Sequence, residues 1–196
     1  RDSTLTLGMG YDMHAPSAST AFYAPEVNND FVMNLHNERL FSSEVGYQFL
    51  NSWLHANINA YYNYMSNVTE WNCFYFDDIN SFSYNSLSGL RKESYGIEGA
   101  LKFKLASFLD LKLLGTISEA KNISSANVIY LNSTEGVYSA PDEAFVKGMR
   151  EDGTPLTATS IALSYHKGGW FIDLNGNWYD RIYLSYSPYY RYKSCL

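Results

Sequence analysis

Four segments of the chain alternate apolar and polar residues over about ten positions each, and this alternation constrains the fold most strongly. Side chains of a β-strand point alternately to opposite faces, so each segment predicts one strand with an apolar face and a polar face. In one segment, for example, Leu111 and Leu113 alternate with Asp110 and Lys112. The four segments cover about 53–64, 95–103, 109–117 and 170–179.

The length of these strands favours a lipid bilayer over a soluble core as the environment of the apolar face. Strands of soluble proteins are usually about five or six residues long, whereas a lipid-spanning strand needs about 9–11. Aromatic residues near the strand ends are typical of the two girdles of an outer-membrane barrel. These residues are Tyr11, Phe49, Trp53, Tyr62, Tyr64, Phe103, Phe108, Tyr165, Trp170 and Trp178.

The composition excludes membrane-spanning helices but fits a membrane barrel. The 196 residues suffice for one ordinary domain, and 18 of them are tyrosine. No run approaches the 18 or more apolar residues that a membrane helix needs, while barrel strands remain half polar. The start of the chain, residues 1–4, has no apolar signal core. Because a barrel protein must be exported, we expect its signal peptide to lie outside these residues.

The whole pattern predicts seven antiparallel strands in an up-and-down order, with a kink near Gly89 in the fourth. Their expected ranges are 2–13, 42–50, 53–64, 82–104, 109–120, 156–166 and 170–186. Three connections are short (51–52, 105–108 and 167–169), and three are long (14–41, 65–81 and 121–154). Outer-membrane barrels have short periplasmic turns and long extracellular loops in this alternating order.

Seven strands do not close such a barrel. Bacterial outer-membrane barrels have an even number of strands from eight upward, and lipid does not tolerate unpaired sheet edges. The prediction is therefore all-β: residues 1–196 form an antiparallel up-and-down transmembrane β-barrel segment, about seven strands of a larger barrel.

A series of short motifs resembles the TonB-dependent outer-membrane receptors, most clearly over residues 8–47 and then over most of the chain. The family pattern joins a Gly-aromatic strand end, an Ala-Pro-Ser step, an Asn-Leu-x-x-Glu step and a Glu-x-Gly-Tyr strand start. One departure is Asn37, where the family commonly has Pro. The matching residues are Gly10-Tyr11, Ala15-Pro16-Ser17, Phe22-Tyr23, Asn34 to Glu38, Glu44 to Tyr47, Ala56 to Tyr62 and Tyr95 to Glu98.

This resemblance implies a receptor of the bacterial outer membrane that takes up a scarce nutrient with energy from the TonB complex. In the family, a barrel encloses an N-terminal plug, and cargoes include siderophores, cobalamin, oligosaccharides and peptides. No plug domain lies within residues 1–196, so the expected partners are lipid, a plug, further barrel strands, the energising complex and the nutrient.

Two sets of residues are the candidate functional site. The polar strand faces are predicted to line the lumen with Asn57, Asn59, Glu98, Lys102, Asp110, Lys112, Asp173 and Asn175. The long loops carry aromatic residues that suit sugar rings or other flat ligands, and the alternative is that they only pack the loops. These candidates are Phe22, Tyr23, Trp71, Phe74, Tyr75 and Phe76.

The charge distribution favours a neutral or cationic cargo. The three long loops hold eleven acidic and four basic residues, a net charge of −7 against −6 for the whole chain. This field disfavours nucleic acid and other strongly anionic partners. Two cysteines and four histidines show no disulfide or metal-site spacing, so we predict no metal or cofactor. Nothing like a nucleophile turn surrounds Ser160 or Ser164, so we predict no enzymatic activity.

Two other functions fit part of the pattern. In a soluble all-β ligand- or carbohydrate-binding domain, the apolar strand faces would be buried in a core. A passive porin would share the membrane strands but lacks the motif series of residues 15–47.

Overall fold

The structure is a computed structural model that describes residues 2–77 and 80–185. The described residues form an almost entirely β architecture, in which no helix is long and apolar enough to cross a membrane. The strands are β1 (Asp2–His14), β2 (Glu38–Leu50), β3 (Leu54–Phe76), β4 (Ser81–Ala106), β5 (Leu109–Asn122), β6 (Ala126–Asn132), β7 (Val137–Tyr138), β8 (Asp142–Ala144), β9 (Thr157–Lys167) and β10 (Trp170–Asp180).

The strands form one antiparallel sheet in the order β1-β2-β3-β4-β5-β9-β10. This order confirms the seven expected strands and their up-and-down arrangement, and the described sheet is open rather than closed. The short strand β6 pairs with the outer part of β4, and β7 and β8 pair with β6. These three strands lie inside the connection that was expected to be an irregular loop over 121–154.

The short connections are formed by residues that suit tight turns. Gly168 and Gly169 both have positive φ angles, +62° and +82°, between β9 and β10. Two left-handed residues in succession are the requirement of a type I′ hairpin turn, which glycine meets without steric cost. On the same side of the sheet, the amide of Asn51 donates to the carbonyl of Leu54 at 2.8 Å and closes the turn between β2 and β3.

The expectation of a long loop over 65–81 was wrong. β3 and β4 continue as a paired hairpin to Phe76 and Ser81, well beyond the ends of the neighbouring strands. The pairing shifts register between Met65 and Val68 and again between Val68 and Glu70. Gly89, with a φ of +72°, lies opposite this irregularity, where the sequence predicted a kink. We call residues 66–76 and 81–91 the hairpin extension.

Two other strand boundaries differ from the prediction for local reasons. β2 begins at Glu38 rather than at residue 42, and the buried carboxylate of Glu38 accepts a hydrogen bond from the amide of Thr69 at 3.1 Å. β10 ends at Asp180 because Arg181 adopts a φ of +55°. Its guanidinium then donates to the carbonyls of Ser118 and Leu156 at 2.6 and 3.0 Å. Residue 186, the expected end of this strand, lies outside the described residues.

The buried cores lie on the hairpin extension, not in the long part of the sheet. One core covers the face of the extension that carries Leu87, and the other covers the face that carries Tyr84. The first core contains Val68, Leu87, Leu90, Ala126, Val128, Tyr130, Ala144 and Val146. The second contains Ala24, Tyr84 and Leu131, with Trp71, Cys73 and Tyr138 packed against it. Ala24 belongs to segment 15–37, so that loop covers the second face.

The seven long strands instead leave their apolar face exposed. Directly paired residues of an antiparallel sheet share a face, so the register assigns every side chain to one side. Leu111, Leu163 and Leu174 form one apolar row across β5, β9 and β10. Side chains on this face remain open, with Met9 85% and Leu174 63% exposed. An exposed apolar face of this extent is typical of a surface in contact with lipid.

The two neighbours Leu113 and Leu114 test this assignment. Leu113 lies in the row of Leu101 and Ile161 on the apolar face, whereas Leu114 pairs with Ala100 and Ser160 on the polar face. We expect Leu113→Arg to reduce the free energy of unfolding by about 2–4 kcal/mol, because it places a charge at mid-membrane depth, and Leu114→Arg to cost much less. Denaturant unfolding of the complete protein in lipid vesicles measures both, and equal losses would contradict the assignment. The predicted lumen residue Asn175 is a second control, since Asn175→Arg is also expected to cost little.

Candidate functional site

The polar face of β1–β5, β9 and β10, here called the polar wall, brings the predicted lumen residues together. One row of directly paired residues runs from Asn59 through Glu98 and Thr116. The adjacent row runs from Asn57 through Ala100 to Leu114. The register places on this one face all of Asn57, Asn59, Glu98, Lys102, Asp110, Lys112, Asp173 and Asn175. The alternation therefore placed all eight on one face, and the assignment of this face to the lumen remains a prediction.

Short polar contacts link residues of this wall. The amide of Asn59 donates to Glu98 at 3.3 Å. Near the short turns, the ammonium of Lys102 lies 3.2 Å from Asp110 and directly opposite Lys112. Asp110 thus offsets the repulsion of two lysines in one row. The side chain of Lys102 is 44% exposed, so this pair adds little stability and serves mainly to balance charge.

Open concavities on the polar wall are suitable for polar ligands or for a neighbouring polar surface. The larger of two such concavities, about 650 Å³, is bordered by Gly8, Gly10, Glu44 and Tyr61. A Cβ at Gly8 would lie 2.7 Å from Cγ of Glu44, so a larger residue there would require the exposed Glu44 side chain to shift. The second, about 370 Å³, lies at mid-wall and includes Asn57, Asn59, Glu98, Thr116, Ser160 and Asn177.

The candidate loop aromatics do not form one continuous surface. Trp71 and Tyr75 lie on one face of the hairpin extension and Phe74 on the other, because strand alternation separates them. Phe22 forms an isolated β-bridge with Phe31 in segment 15–37. The side chain of Phe76 lies outside the described residues. Sequence proximity therefore overestimated how closely these rings cluster.

Three of these aromatics make ring contacts that order the loops. Trp71 stacks on Tyr84 with centroids 5.9 Å apart, and Tyr23 packs against Tyr138 at 5.3 Å. Tyr75 lies edge-on to Phe82 at 5.1 Å, but both rings remain 48% exposed. Tyr75 therefore remains accessible to a ligand, whereas Tyr23 and Trp71 contribute to loop packing.

Tyr138, in β7, links segment 15–37 to the third long connection. Its hydroxyl donates to the carboxylate of Asp30 at 2.6 Å and accepts from the amide of Asn28 at 2.5 Å. Burial and the hydrogen bond to Asp30 raise the pKa of the Tyr138 phenol above its ordinary value. The phenol therefore stays protonated and keeps its donor role throughout the physiological pH range.

A group of ion pairs ties the third long connection to the outer end of the sheet, and we call it the rim cluster. Lys92 donates to the carboxylates of Glu70 and Glu151, the latter at 2.6 Å. Glu119 accepts from Arg150 at 2.5 Å and from Arg181 at 3.1 Å. These contacts hold the segment around residues 150–151 and the end of β10 against β3, β4 and β5.

The balance of charges keeps Lys92 protonated. Burial alone would lower the pKa of its ammonium group, but the adjacent carboxylates of Glu70 and Glu151 outweigh this effect and raise the pKa above the ordinary 10.5. The side chain of Lys92 is 13% exposed. Loss of its charge would leave the two carboxylates facing each other at the rim.

Comparison with known proteins identifies the family. A family model described as TonB dependent receptor-like, beta-barrel matches residues 6–194. The chain belongs to the TonB-dependent receptors. No curated protein and no solved structure gives a significant match.

Family membership makes this chain the barrel portion of an outer-membrane receptor or transporter. A TonB-dependent receptor barrel presents one strand face to lipid, and the exposed apolar face has the residues for this environment. The open sheet agrees with a segment of a barrel, and the hairpin extension stands at the end opposite the short turns. The resemblance of the motifs at residues 8–47 is thereby confirmed.

Sequence reasoning missed the rim cluster and the contacts of Tyr138. Lys92 and Glu151 are 59 residues apart, and Arg181 and Glu119 are 62 apart. No periodicity relates such residues, because their contact depends on how the third connection folds back. The charged residues of the long connections were the available signal in the sequence. They indicated that ion pairs could form, but they did not show which residues would pair.

Lys92→Met tests the rim cluster. We expect it to lower the free energy of unfolding by about 1–3 kcal/mol at pH 8, because two charged hydrogen bonds are lost and two carboxylates are left uncompensated. Hydrogen exchange should become faster at the amides of Gly148 and Glu151, which bond to the carbonyls of Asn122 and Ala120. Lys147→Met, at an exposed position, is the control and should change neither quantity.

The pH dependence of this difference follows from the raised pKa. The contribution of Lys92 is fully present below its unfolded pKa of about 10.5 and disappears as pH rises through the higher folded value. Denaturant unfolding of both proteins between pH 8 and 12 should show the gap closing only above about 10.5. A gap that closes near neutral pH would contradict the ion-pair explanation.

Cysteine labelling tests which face of the wall meets water. With both native cysteines replaced by serine, single cysteines at Asn57 and Asn175 should react with a charged maleimide in intact outer membranes. The adjacent positions Ile58 and Leu174 are matched controls on the apolar face and should react poorly. Similar labelling at all four positions would mean that the two faces do not separate lipid from water.

Proposed function

We propose that this protein takes part in energy-dependent uptake of a scarce nutrient across the bacterial outer membrane, with the TonB complex as the energy source. The family match is the observation that carries this proposal. The long polar wall supports it, because a transport path needs a continuous hydrophilic surface. A plug and further barrel strands are the expected partners.

The outer surface favours a neutral or cationic nutrient over a strongly anionic one. Acidic side chains are exposed on segment 15–37 and on the third long connection: Glu26, Asp30, Glu135, Asp142, Glu143 and Asp152. Like-charge repulsion slows the approach of an anion, whereas a neutral ligand pays no such cost. This surface also gives nucleic acid no favourable electrostatic contact.

Among the loop aromatics, Tyr75 is the best candidate for direct contact with the nutrient. Tyr75 and its partner Phe82 lie at the tip of the hairpin extension, with both rings half exposed. Tyr23 and Trp71 support this region through Tyr138 and Tyr84. Phe22, Phe74 and Phe76 complete the proposed capture set from the sequence.

An uptake assay with the complete gene product tests the function. Cells with the gene should accumulate a growth-limiting nutrient faster than a deletion strain, and removal of TonB or addition of a protonophore should abolish the difference. Uptake that continues without TonB would instead indicate a passive porin. Recovery of the complete protein in detergent-free buffer as a folded monomer would indicate the soluble all-β alternative.

Tyr75→Ala tests the capture surface in the same assay. We expect slower uptake at limiting nutrient and normal amounts of folded protein in the outer membrane, because the exposed ring contributes little to packing. Tyr62→Ala, an exposed tyrosine on the apolar face of β3, is the matched control. Equal uptake by the two variants would mean that Tyr75 only packs at the hairpin tip and does not contact the nutrient.

A further inference from the structure

A cavity of about 320 Å³ lies between segment 15–37 and the face of the hairpin extension that carries Ser86. We call it the loop cavity. Its polar lining includes Asn34 from the segment, Asn67 and Ser86 from the extension, and Asn127 from β6, and Tyr23 forms part of the wall. The volume is at the lower end of the range of ligand sites, about 300–1,000 Å³.

Ser86 supplies the cavity with a buried hydroxyl that has no hydrogen-bond partner among the described residues. The residue is 3% exposed. Its cross-strand neighbour Trp71 likewise has an indole N–H without a partner in the described part of the chain. Folded proteins rarely leave buried polar atoms unpaired, because a buried donor or acceptor that has lost its hydrogen bond to water is destabilising. A ligand with hydroxyl groups would supply the missing partner.

Backbone strain also concentrates at this cavity. Asn34 and Asn67 both have a φ of +59°, a conformation that L-residues adopt infrequently, and only two other described non-glycine residues share a positive φ. Gly89, with a φ of +72°, borders the same space. Residues in such conformations gather at ligand sites when the surrounding structure holds them.

Hydrogen bonds hold the walls in place around these asparagines. The side-chain amide of Asn67 donates to the carbonyl of Asn37 at 3.2 Å, and the hydroxyl of Tyr23 accepts from the amide of Met33 at 3.2 Å. These bonds join segment 15–37 to the extension and fold the segment on itself. The cavity therefore has defined walls before a ligand arrives.

The chemistry of the lining selects an uncharged ligand. The described residues around the cavity include His36 but no Asp, Glu, Lys or Arg, although the surrounding outer surface is acidic. Asparagine amides and serine hydroxyls offer both donors and acceptors, which suits vicinal hydroxyl groups. The ring of Tyr23 and the side chains of Val32 and Ile129 offer apolar surface for C–H groups.

We propose that the loop cavity binds one unit of a neutral saccharide, with Ser86, Asn34 and Asn67 as its polar contacts. This inference rests on the proposed uptake function and names the nutrient class that the cavity selects. A carboxylate-bearing ligand would find no lysine or arginine among the described lining residues, where His36 offers an imidazole. An alkyl ligand would leave Ser86 unpaired. A saccharide satisfies the buried hydroxyl and the amides together.

Calorimetry on the complete protein in lipid nanodiscs tests the proposal. The probes are neutral trisaccharides of glucose, mannose and galactose, with a trisaccharide of galacturonic acid and a neutral tripeptide for comparison. We expect at least one neutral trisaccharide to bind, and the acidic trisaccharide and the tripeptide to bind at least tenfold more weakly. Binding of the acidic sugar or the tripeptide alone, or of no probe, overturns the proposal.

Three variants separate ligand contact from folding. Ser86→Ala should weaken binding about tenfold, and the melting temperature should not fall, because the hydroxyl has no partner in the described structure. Asn34→Gly should also weaken binding, while glycine retains the left-handed backbone. Ser107→Ala is the control, since Ser107 is exposed in the short turn 105–108, outside the cavity.

The outcomes distinguish this inference from the proposed function. Wild-type affinity in both cavity variants, or a lower melting temperature for Ser86→Ala, overturns the assignment of the cavity. TonB-dependent uptake that persists while no neutral saccharide binds leaves the uptake function intact and overturns only the saccharide site. Loss of TonB dependence would contradict the uptake function itself.

Discussion

The structure depends on the requirement that every backbone amide and carbonyl in lipid find a partner within the protein. The ladders between neighbouring strands of β1–β5, β9 and β10 meet this requirement in strands of eleven or more residues, while the outer edges of β1 and β10 are open in the described sheet. Once the ladders are fixed, strand alternation determines which side chains face outward. The row of Leu111, Leu163 and Leu174 and the polar row of Asn59 and Glu98 are two consequences of one register.

The hairpin extension lies outside the long sheet, and its stability depends on a different requirement. β3 and β4 continue into an aqueous region, where both faces of a two-stranded hairpin must be covered to be stable. Strand β6 widens the extension, and the two cores around Leu87 and Tyr84 cover its faces. The outer connections are therefore packed structures with fixed walls, and this order makes a defined cavity possible.

The sequence predicted the parts of the fold that depend on local pattern. Alternation gave the seven long strands and placed the predicted wall residues on one face, and Gly168 and Gly169 indicated a turn. The hairpin extension was missed because residues 69–76 place both apolar and polar side chains on each face. No single apolar face therefore marks them as a strand. Their coverage comes from Ala24 and Val128, which are distant in sequence.

The candidate site was likewise predictable only where it depends on local sequence pattern. The polar wall follows from the period of two, whereas the loop aromatics were grouped by sequence proximity and are split by strand alternation between Trp71 and Phe74. The loop cavity had no sequence signal, because it needs segment 15–37 to fold over Ser86. Pairing of residues from separate connections is a tertiary property that local pattern does not encode.

The two long connections are attached to the sheet by different forces. The third connection is held through the ion pairs of Glu151 with Lys92 and of Arg150 with Glu119. Segment 15–37 contacts β7 of the same connection through Tyr138, which packs against Tyr23 and hydrogen-bonds to Asn28 and Asp30. Salt screens ion pairs at the partly exposed rim more than it weakens ring packing and a hydrogen bond to a phenol. Changes in ionic strength therefore act first on the contacts of residues 150–151 at the rim, whereas the contacts between segment 15–37 and β7 depend less on salt.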